Sequence, residues 1–193
     1  MQKIILASAS KARKLLMDRL LVNYQAIPAD IDESAYLGEP HDDYVRRMSQ
    51  EKANKLAEKH SNAIVIGSDA IASIQGTILG KPLTFDNAVE QLKLMSGNRV
   101  DFLTGLCVID TASKQKFIDL VVTQVYFKTL NFDTIEYYLH ATQPYASAGS
   151  LHSEGLGIIL MERWIGPDPT ALMGLPLIRL CHYLSKLNAL IQK

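Results

Sequence analysis

The chain has 193 residues, 48% of them hydrophobic, and its 20 lysine and arginine residues balance 20 aspartate and glutamate residues. A chain of this length builds one sizeable core, so we predict a single domain over residues 1–193. Zero net charge argues against a nucleic-acid polymer as partner. The first apolar run is too short for a signal peptide or a membrane span, so we expect no membrane partner and a cytoplasmic location.

Strand and helix signals alternate in the first half of the chain. Short apolar runs predict strands over residues 3–7, 24–27, 63–74 and 77–79. Helical periodicity predicts helices over residues 11–21, 42–59 and 84–97, the last of them capped by Thr84. The apolar stripe expected for the first helix consists of Leu15, Leu16, Leu20 and Leu21.

A hairpin interrupts this alternation in the second half. Two strands are predicted over residues 100–110 and 116–127, joined by a polar turn. A helix over 132–141, a glycine-rich loop over 149–157, a strand over 158–163 and a helix over 174–187 follow, with Pro176 in the first turn of the last helix. The pattern predicts an α/β fold with a mixed twisted sheet and flanking helices.

Asp69 is the polar residue most out of place in its surroundings. It lies inside the apolar strand of residues 63–74, where an unpaired carboxylate would cost several kcal/mol. Such a residue needs a cation or a ligand, which favours a catalytic or metal-binding role. The alternative is a structural aspartate that accepts hydrogen bonds from backbone amides.

Lys52 lies in the middle of the apolar face of the second helix. It is four residues from both Met48 and Leu56, whereas a solvated lysine would lie opposite them. A charged residue on this face indicates a functional role. A lysine whose aliphatic stem lines the rim of the core explains the spacing equally well.

A strand runs into Ser8, Ser10 and Arg13 at the start of the first helix. Free backbone amides and the helix dipole favour an anion there, and arginine matches phosphate oxygens in pairs. The arrangement therefore suggests phosphate binding. Simple capping of the helix by Ser10 is the common alternative.

Three more charged residues lie in loops. Glu33 belongs to an acidic stretch, Lys81 lies between a glycine and a proline, and Glu154 lies among three glycines. Each has an ordinary reading as a solvated surface residue, and Glu154 is singled out only because glycines allow a close approach to a ligand.

These segments together resemble one family. Residues 6–16 resemble the opening signature of the Maf-like nucleotide pyrophosphatases. The further motifs of that family follow in its order: Asp32-Glu33-Ser34, Glu51-Lys52-Ala53, Ile66-Gly67-Ser68-Asp69, Gly80-Lys81-Pro82, Ser96-Gly97, Thr104-Gly105, Ala148-Gly149 and Gly174-Leu175-Pro176-Leu177. The resemblance covers essentially the whole chain.

The resemblance implies an elongated α/β fold with a central cleft, related to the inosine triphosphate pyrophosphatases. It implies hydrolysis of a small-molecule nucleoside triphosphate to monophosphate and pyrophosphate with Mg²⁺ or Mn²⁺, and a homodimer is compatible with such a fold. Asp69 would be the proton acceptor. The other catalytic residues would be Glu33, Lys52 and Lys81, and the phosphates would be bound by Ser8, Ser10 and Arg13.

Within the family, residues 148–158 resemble the branch that acts on 7-methyl-GTP, which would remove modified nucleotides from the pool. The dTTP and UTP branch has lysine in place of Ser147 and glutamine in place of Glu154. The specificity positions correspond to Ala12, Ala70 and Glu154. The two alanines depart from the larger or polar residues expected in both branches.

Two alternatives to a 7-methyl-GTP pyrophosphatase are considered. One is hydrolysis of dTTP, UTP or another non-standard nucleotide, and the other is a nucleotide-binding regulator of cell division with little hydrolysis. Asp69 favours an enzyme, because a protein that only binds nucleotides has little need of a general base. Glu33 and Asp69 would also supply the oxygen ligands that Mg²⁺ prefers.

Overall fold

The computed structural model describes residues 2–190. Within this range seven strands are present: β1 (Lys3–Leu6), β2 (Tyr24–Ala26), β3 (Ala63–Ile74), β4 (Thr77–Leu79), β5 (Arg99–Asp110), β6 (Lys116–Phe127) and β7 (Met161–Ile165). Five α-helices accompany them: α1 (Lys11–Asp18), α2 (His41–Ala57), α3 (Phe85–Met95), α4 (Phe132–Thr142) and α5 (Leu177–Lys186). Short 3₁₀ helices cover Ala148–Ser150, Leu156–Leu160 and Ala171–Met173.

All seven strands form one mixed sheet, which confirms the predicted α/β class. The strand order is β2-β1-β3-β5-β6-β7, with β4 paired to β3. β1 is parallel to both β2 and β3, whereas β4 is antiparallel to β3 and β7 is antiparallel to β6. β5 and β6 are neighbours joined by a connection too short for a parallel crossover, so the predicted hairpin is confirmed.

Two compact units can be distinguished. The first comprises residues 1–69, 104–121 and 168–193, and the second comprises residues 70–103 and 122–167. The boundaries fall inside β3, β5 and β6, so each unit is discontinuous in sequence. That the chain is a single domain stays a prediction.

The first unit buries apolar side chains on both faces of its strands, because successive residues of a strand alternate between faces. One face packs against α1 and α5, with the buried residues Ile4, Leu6, Leu16, Met17, Ile64, Ile66, Leu106, Val108, Leu180 and Leu184. The other face packs against α2, with the buried residues Ile5, Ala7, Ala53, Leu56, Ala63, Val65 and Cys107. Asp69 lies an even number of residues after Ala63 and therefore belongs to the face that meets α2.

In the second unit, α3 contacts α4 and the 3₁₀ helix Ala148–Ser150. Tyr138 of α4 is fully buried, and its hydroxyl donates to the Ser150 carbonyl at 2.9 Å and accepts from the His152 amide at 2.8 Å. Gly149 has a φ of +61°, and a Cβ there would overlap the methyl group of Ala72. The loop after α4 is thus held by a buried tyrosine and requires glycine at one position.

The structure corrects three predicted details. α1 ends at Asp18, so Leu21 is 93% exposed and the buried residues of the helix are Leu16 and Met17. Residues 156–160 form a 3₁₀ helix, so the strand predicted from residue 158 begins only at 161. α5 begins after Pro176, which caps the helix from outside its first turn.

Both thiols are free: Cys107 is buried and Cys181 is partly buried, and burial raises the pKa of Cys107 to about 12.

Among residues 2–190, no helix combines the length and the apolar character needed to cross a bilayer.

Candidate active site

Lys52 and Asp69 form a buried ion pair between α2 and β3. Lys52 is 6% exposed and Asp69 is 8% exposed, and Lys52 Nζ lies 2.6 Å from Asp69 Oδ1. The interpretation of Lys52 as a lysine at the rim of the core is therefore wrong. Asp69 has the cation that its burial demands, because an unpaired carboxylate at this depth would be strongly unfavourable.

Two glycines allow α2 to approach the sheet closely enough for this pair. A Cβ on Gly67 of β3 would overlap the Ser49 carbonyl and lie 2.7 Å from the Ala53 amide nitrogen. A Cβ on Gly105 of β5 would overlap the Ser49 hydroxyl and lie 2.7 Å from the Val45 carbonyl. Because no side chain separates helix from strands here, the lysine of α2 reaches the aspartate of β3.

Ser49 fixes the backbone of Asp69. Its hydroxyl donates to the Val45 carbonyl at 2.8 Å and accepts from the Asp69 amide at 3.0 Å, and the residue is fully buried. The Asp69 carboxylate accepts from Lys52 Nζ at Oδ1, 2.6 Å away, so both its backbone amide and one of its side-chain oxygens are held by α2.

Glu33 reaches the same lysine from a loop. Its Oε1 lies 2.8 Å from Lys52 Nζ, although the Glu33 side chain is 51% exposed. The backbone carbonyl of Glu33 accepts a hydrogen bond from the Tyr44 hydroxyl at 2.9 Å. We refer to Lys52, Glu33 and Asp69 together as the Lys52 cluster.

The predicted phosphate-binding residues lie at the start of α1. Ser10 is the N-cap, and its Oγ accepts from the Arg13 amide at 3.4 Å. Ser8 Oγ accepts from the Ser10 amide at 3.1 Å and from Arg13 Nη1 at 3.4 Å. The amides of Lys11 and Ala12 have no acceptor inside the helix, as is usual for a first turn, and are the donors that an anion would meet.

Arg13 is held from a second direction by the segment before α5. Its Nε donates to the Gly174 carbonyl at 2.7 Å. Ser68 Oγ lies 2.8 Å from the same carbonyl and 2.7 Å from that of Gly105. The Gly174 segment therefore orients a predicted phosphate ligand.

Electrostatics link Arg13 to the Lys52 cluster. Burial lowers the pKa of the Arg13 guanidinium, while the negative charges of Asp69 and Glu33 raise it. Burial also raises the pKa of Tyr44 to about 12, and the same two carboxylates act in the same direction. Tyr44 thus remains protonated at neutral pH and can donate to the loop.

The carboxylates of Glu33 and Asp69 suit a hard divalent cation. Both approach Lys52 Nζ and therefore lie close together. Mg²⁺ in nucleotide-dependent enzymes takes one or two carboxylates and completes its shell with water and phosphate oxygens. No group of three or more His, Cys, Asp or Glu side chains suited to holding a metal occurs in the described part of the chain.

The remaining predicted positions are Lys81, Ala70 and Glu154, which belong to the second unit, and Ala12, which is partly exposed in α1. Lys81 is exposed and follows Gly80, whose carbonyl accepts from the Gln91 side chain at 3.1 Å. Glu154 is exposed in a turn. Its negative charge acts on Tyr138: burial raises the pKa of that tyrosine, and the charge of Glu154 raises it further.

Sequence reasoning missed Tyr44, Ser49 and Ser68 as contributors to the site. Each contacts a predicted site residue or the segment that orients one. Two of them carried a sequence signal: Ser49 lies beside Met48 and Lys52 on the buried face of α2, and Ser68 belongs to the motif Ile66-Gly67-Ser68-Asp69. Tyr44 was indistinguishable from an ordinary helix residue.

The site combines two buried charges with an oriented arginine and a helix start rich in hydroxyl groups, on a mixed α/β sheet. This arrangement is typical of proteins that bind phosphorylated small molecules. This chain belongs to the Maf-like protein family, whose family model matches residues 3–187.

Relatives support this assignment along nearly the full chain. A 7-methyl-GTP pyrophosphatase of Pseudomonas savastanoi pv. phaseolicola is 45% identical over 186 residues, covering 96% of this chain and 97% of that protein. Another 7-methyl-GTP pyrophosphatase, from Hydrogenovibrio crunogenus, is 47% identical over 184 residues, covering 95% and 92%. A nucleoside triphosphate pyrophosphatase of Acinetobacter baylyi is 48% identical over 189 residues, covering 96% and 95%.

The fold is also similar to that of the Staphylococcus aureus Ham1 protein. The TM-score is 0.51 at 15% identity, with 96% of this chain and 100% of that chain covered. At this identity the likeness concerns the fold alone.

Proposed function

We propose that this protein hydrolyses a nucleoside triphosphate to the monophosphate and pyrophosphate. The observation that carries the proposal is the Lys52 cluster, in which one buried cation joins two carboxylates from separate segments beside Arg13. The names of the Pseudomonas and Acinetobacter relatives support the same chemistry.

The proposed reaction is attack of water on the α-phosphorus with departure of pyrophosphate. Asp69 accepts the proton of the attacking water at Oδ2, while Lys52 holds Oδ1. The bond between the α-phosphorus and the bridging oxygen breaks, and the leaving group carries its electrons away. Arg13 and the first-turn amides of α1 bind the phosphates and offset their charge.

Glu33 and Asp69 are the residues proposed to hold Mg²⁺ or Mn²⁺. When bound, the metal would neutralise phosphate charge that Lys52 and Arg13 alone leave uncompensated. Lys52 brings the two carboxylates together, because its ammonium group pairs with both. Lys81 as a further cation for the phosphates remains a prediction from the family resemblance.

The proposed preferred substrate is 7-methyl-GTP. The names of relatives at 45% and 47% identity support this choice of base. Ala12, Ala70 and Glu154 remain the predicted specificity positions. Because two alanines offer few contacts to a base, dTTP, UTP and other non-standard nucleotides are the second candidates. A cytoplasmic location and a homodimer also stay predictions.

Pyrophosphate release by the purified protein tests the proposed function. The panel comprises 7-methyl-GTP, GTP, dTTP, UTP, CTP and ITP, each with Mg²⁺, with Mn²⁺ and with EDTA. We expect metal-dependent release with a preference for 7-methyl-GTP, abolished by EDTA. Preference for another triphosphate would support the proposed reaction but change the proposed base specificity. Nucleotide binding without release from any substrate would replace the enzyme with a nucleotide-binding regulator.

Glu154 is expected to select the methylated base. Its carboxylate can pair with the positive charge of 7-methylguanine, and the neutral amide of Glu154→Gln cannot. We expect the kcat/KM ratio of 7-methyl-GTP to GTP to fall by about 10-fold, the scale of one charged hydrogen bond. Glu162→Gln, an exposed glutamate of β7, serves as the control. An unchanged ratio in Glu154→Gln would remove Glu154 from base recognition.

A further inference from the structure

Glu33 lies in a long loop between β2 and α2. Residues 27–40 connect β2 to α2 without a helix or a strand. Connections longer than about 12 residues without regular structure are uncommon and usually functional. Ile27 and Ala29 at the start of the loop pack against the core, whereas Tyr36 and Leu37 in its middle are exposed, so burial of apolar side chains does not order the middle of the loop.

Arg47 of α2 makes the densest set of contacts with this loop. Its Nε lies 2.6 Å from Glu39 Oε1 and its Nη2 lies 2.6 Å from Glu39 Oε2, so the two side chains form a bidentate pair. The Arg47 and Glu39 side chains are only 18% and 8% exposed. Glu39 Oε2 also accepts from the Tyr36 amide at 3.1 Å, and the guanidinium carbon lies 3.9 Å from the centre of the Tyr36 ring.

The same guanidinium reaches the residue next to Glu33. Arg47 Nη2 donates to the Ser34 carbonyl at 3.0 Å, and the Tyr44 hydroxyl donates to the Glu33 carbonyl at 2.9 Å. Two consecutive loop carbonyls are therefore bound by side chains of one helix. That helix also carries Lys52, the partner of the Glu33 carboxylate.

We propose that Arg47 is a positioning residue that holds the 27–40 loop on α2 and thereby keeps the Glu33 carboxylate at Lys52. The inference rests on the proposed function for its consequence in catalysis. Tyr44 and Arg47 bind the carbonyls of Glu33 and Ser34, so these contacts define the backbone position from which the Glu33 carboxylate reaches Lys52. Arginine is required because only a planar fork binds both Glu39 oxygens and a carbonyl together.

Arg47→Lys tests the proposal, because it keeps the charge and removes the fork. We expect pyrophosphate release to fall by about 10- to 100-fold, the usual effect of losing a group that orients a ligand, with a higher metal concentration needed for half-maximal rate. Glu39→Gln should cause a similar loss, and the double variant should be no worse than either single variant because both remove one pair.

Glu51→Gln is the matched control. Glu51 is the other acidic partner of Arg47, at a longer 3.2 Å and with a more exposed side chain. The Glu51 carboxylate pairs with Arg47 within α2, so the activity of the Glu51→Gln variant should stay within about twofold of that of the unmodified protein. Unchanged activity in folded Arg47→Lys and Glu39→Gln variants would overturn the proposal.

Hydrogen–deuterium exchange of the amides of residues 30–39 measures the order of the loop independently of catalysis. We expect faster exchange in Arg47→Lys and Glu39→Gln, and unchanged exchange in Glu51→Gln. Equal exchange in all three variants would overturn the positioning role even if activity fell. Faster exchange in a protein that hydrolyses no triphosphate would sustain the positioning role while the proposed function failed.

Discussion

Pyrophosphate release falls by at least about 10²-fold in the Asp69→Asn variant, because an amide cannot take a proton from the attacking water. The two side chains have the same size, and Lys52 keeps Glu33 as a partner at 2.8 Å. The variant should therefore fold, and circular dichroism with thermal unfolding checks that it does. The rate is measured with the preferred nucleotide of the panel at saturating metal.

Asp18→Asn supplies the control for the same chemical change. Asp18 is an exposed residue at the end of α1 whose carboxylate accepts from the Tyr24 hydroxyl at 2.8 Å. Its variant should keep normal turnover. A folded Asp69→Asn protein with near-normal turnover would exclude Asp69 as the general base.

The second large effect is expected for Lys52→Met, which should lower both the stability and the activity of the protein. Lys52→Met keeps most of the aliphatic stem and removes the charge, which leaves Asp69 buried without a cation. Losing one partner of a buried ion pair costs about 3 to 5 kcal/mol. We expect the lower end of that range in the free energy of unfolding, measured with urea, because solvent screens the half-exposed Glu33. Activity should fall at least as far as in Asp69→Asn.

A second substitution separates the two effects. The double variant Lys52→Met/Asp69→Asn has no uncompensated buried charge, so much of the stability lost in Lys52→Met should return. Its activity should stay as low as that of the single variants. Lys55→Met removes an exposed lysine one turn along the same helix and should change neither quantity. A stable Lys52→Met protein would mean that Asp69 finds another cation or water. If the double variant is no more stable than Lys52→Met, the loss of stability comes from altered packing and not from an uncompensated charge.

Strand positions were predictable where the pattern was long and apolar. β3, β4 and β6 begin and end at the predicted residues, because runs of β-branched residues bounded by turn residues leave few alternatives. Thr84 caps α3 as expected, with its side chain accepting from the Asn87 amide.

Predictions failed where distant residues decide the local structure. α5 starts after Pro176 because side chains outside the helix take its first amides: Thr170 Oγ1 accepts from Leu177 and Asp168 accepts from Ile178. α1 stops at Asp18 although leucines continue the periodic pattern. Local periodicity contains no information about such partners.

The chemical core of the site was visible in the sequence by itself. Asp69 in an apolar strand and Lys52 on an apolar helix face each violated the pattern around them, and burial makes such violations unfavourable unless the charges meet. The period of each element therefore placed both residues on apolar faces, although it left a lysine at the rim of the core as an equal reading of Lys52, and the ordered motifs indicated the family.

Tertiary structure alone decided which charges meet. The sequence could not show that Gly67 and Gly105 remove the bulk between α2 and the sheet, nor that Tyr44 and Arg47 bring the Glu33 loop to Lys52. Contacts of this kind depend on atoms from segments far apart in the chain, whereas propensity and periodicity describe only neighbours along it.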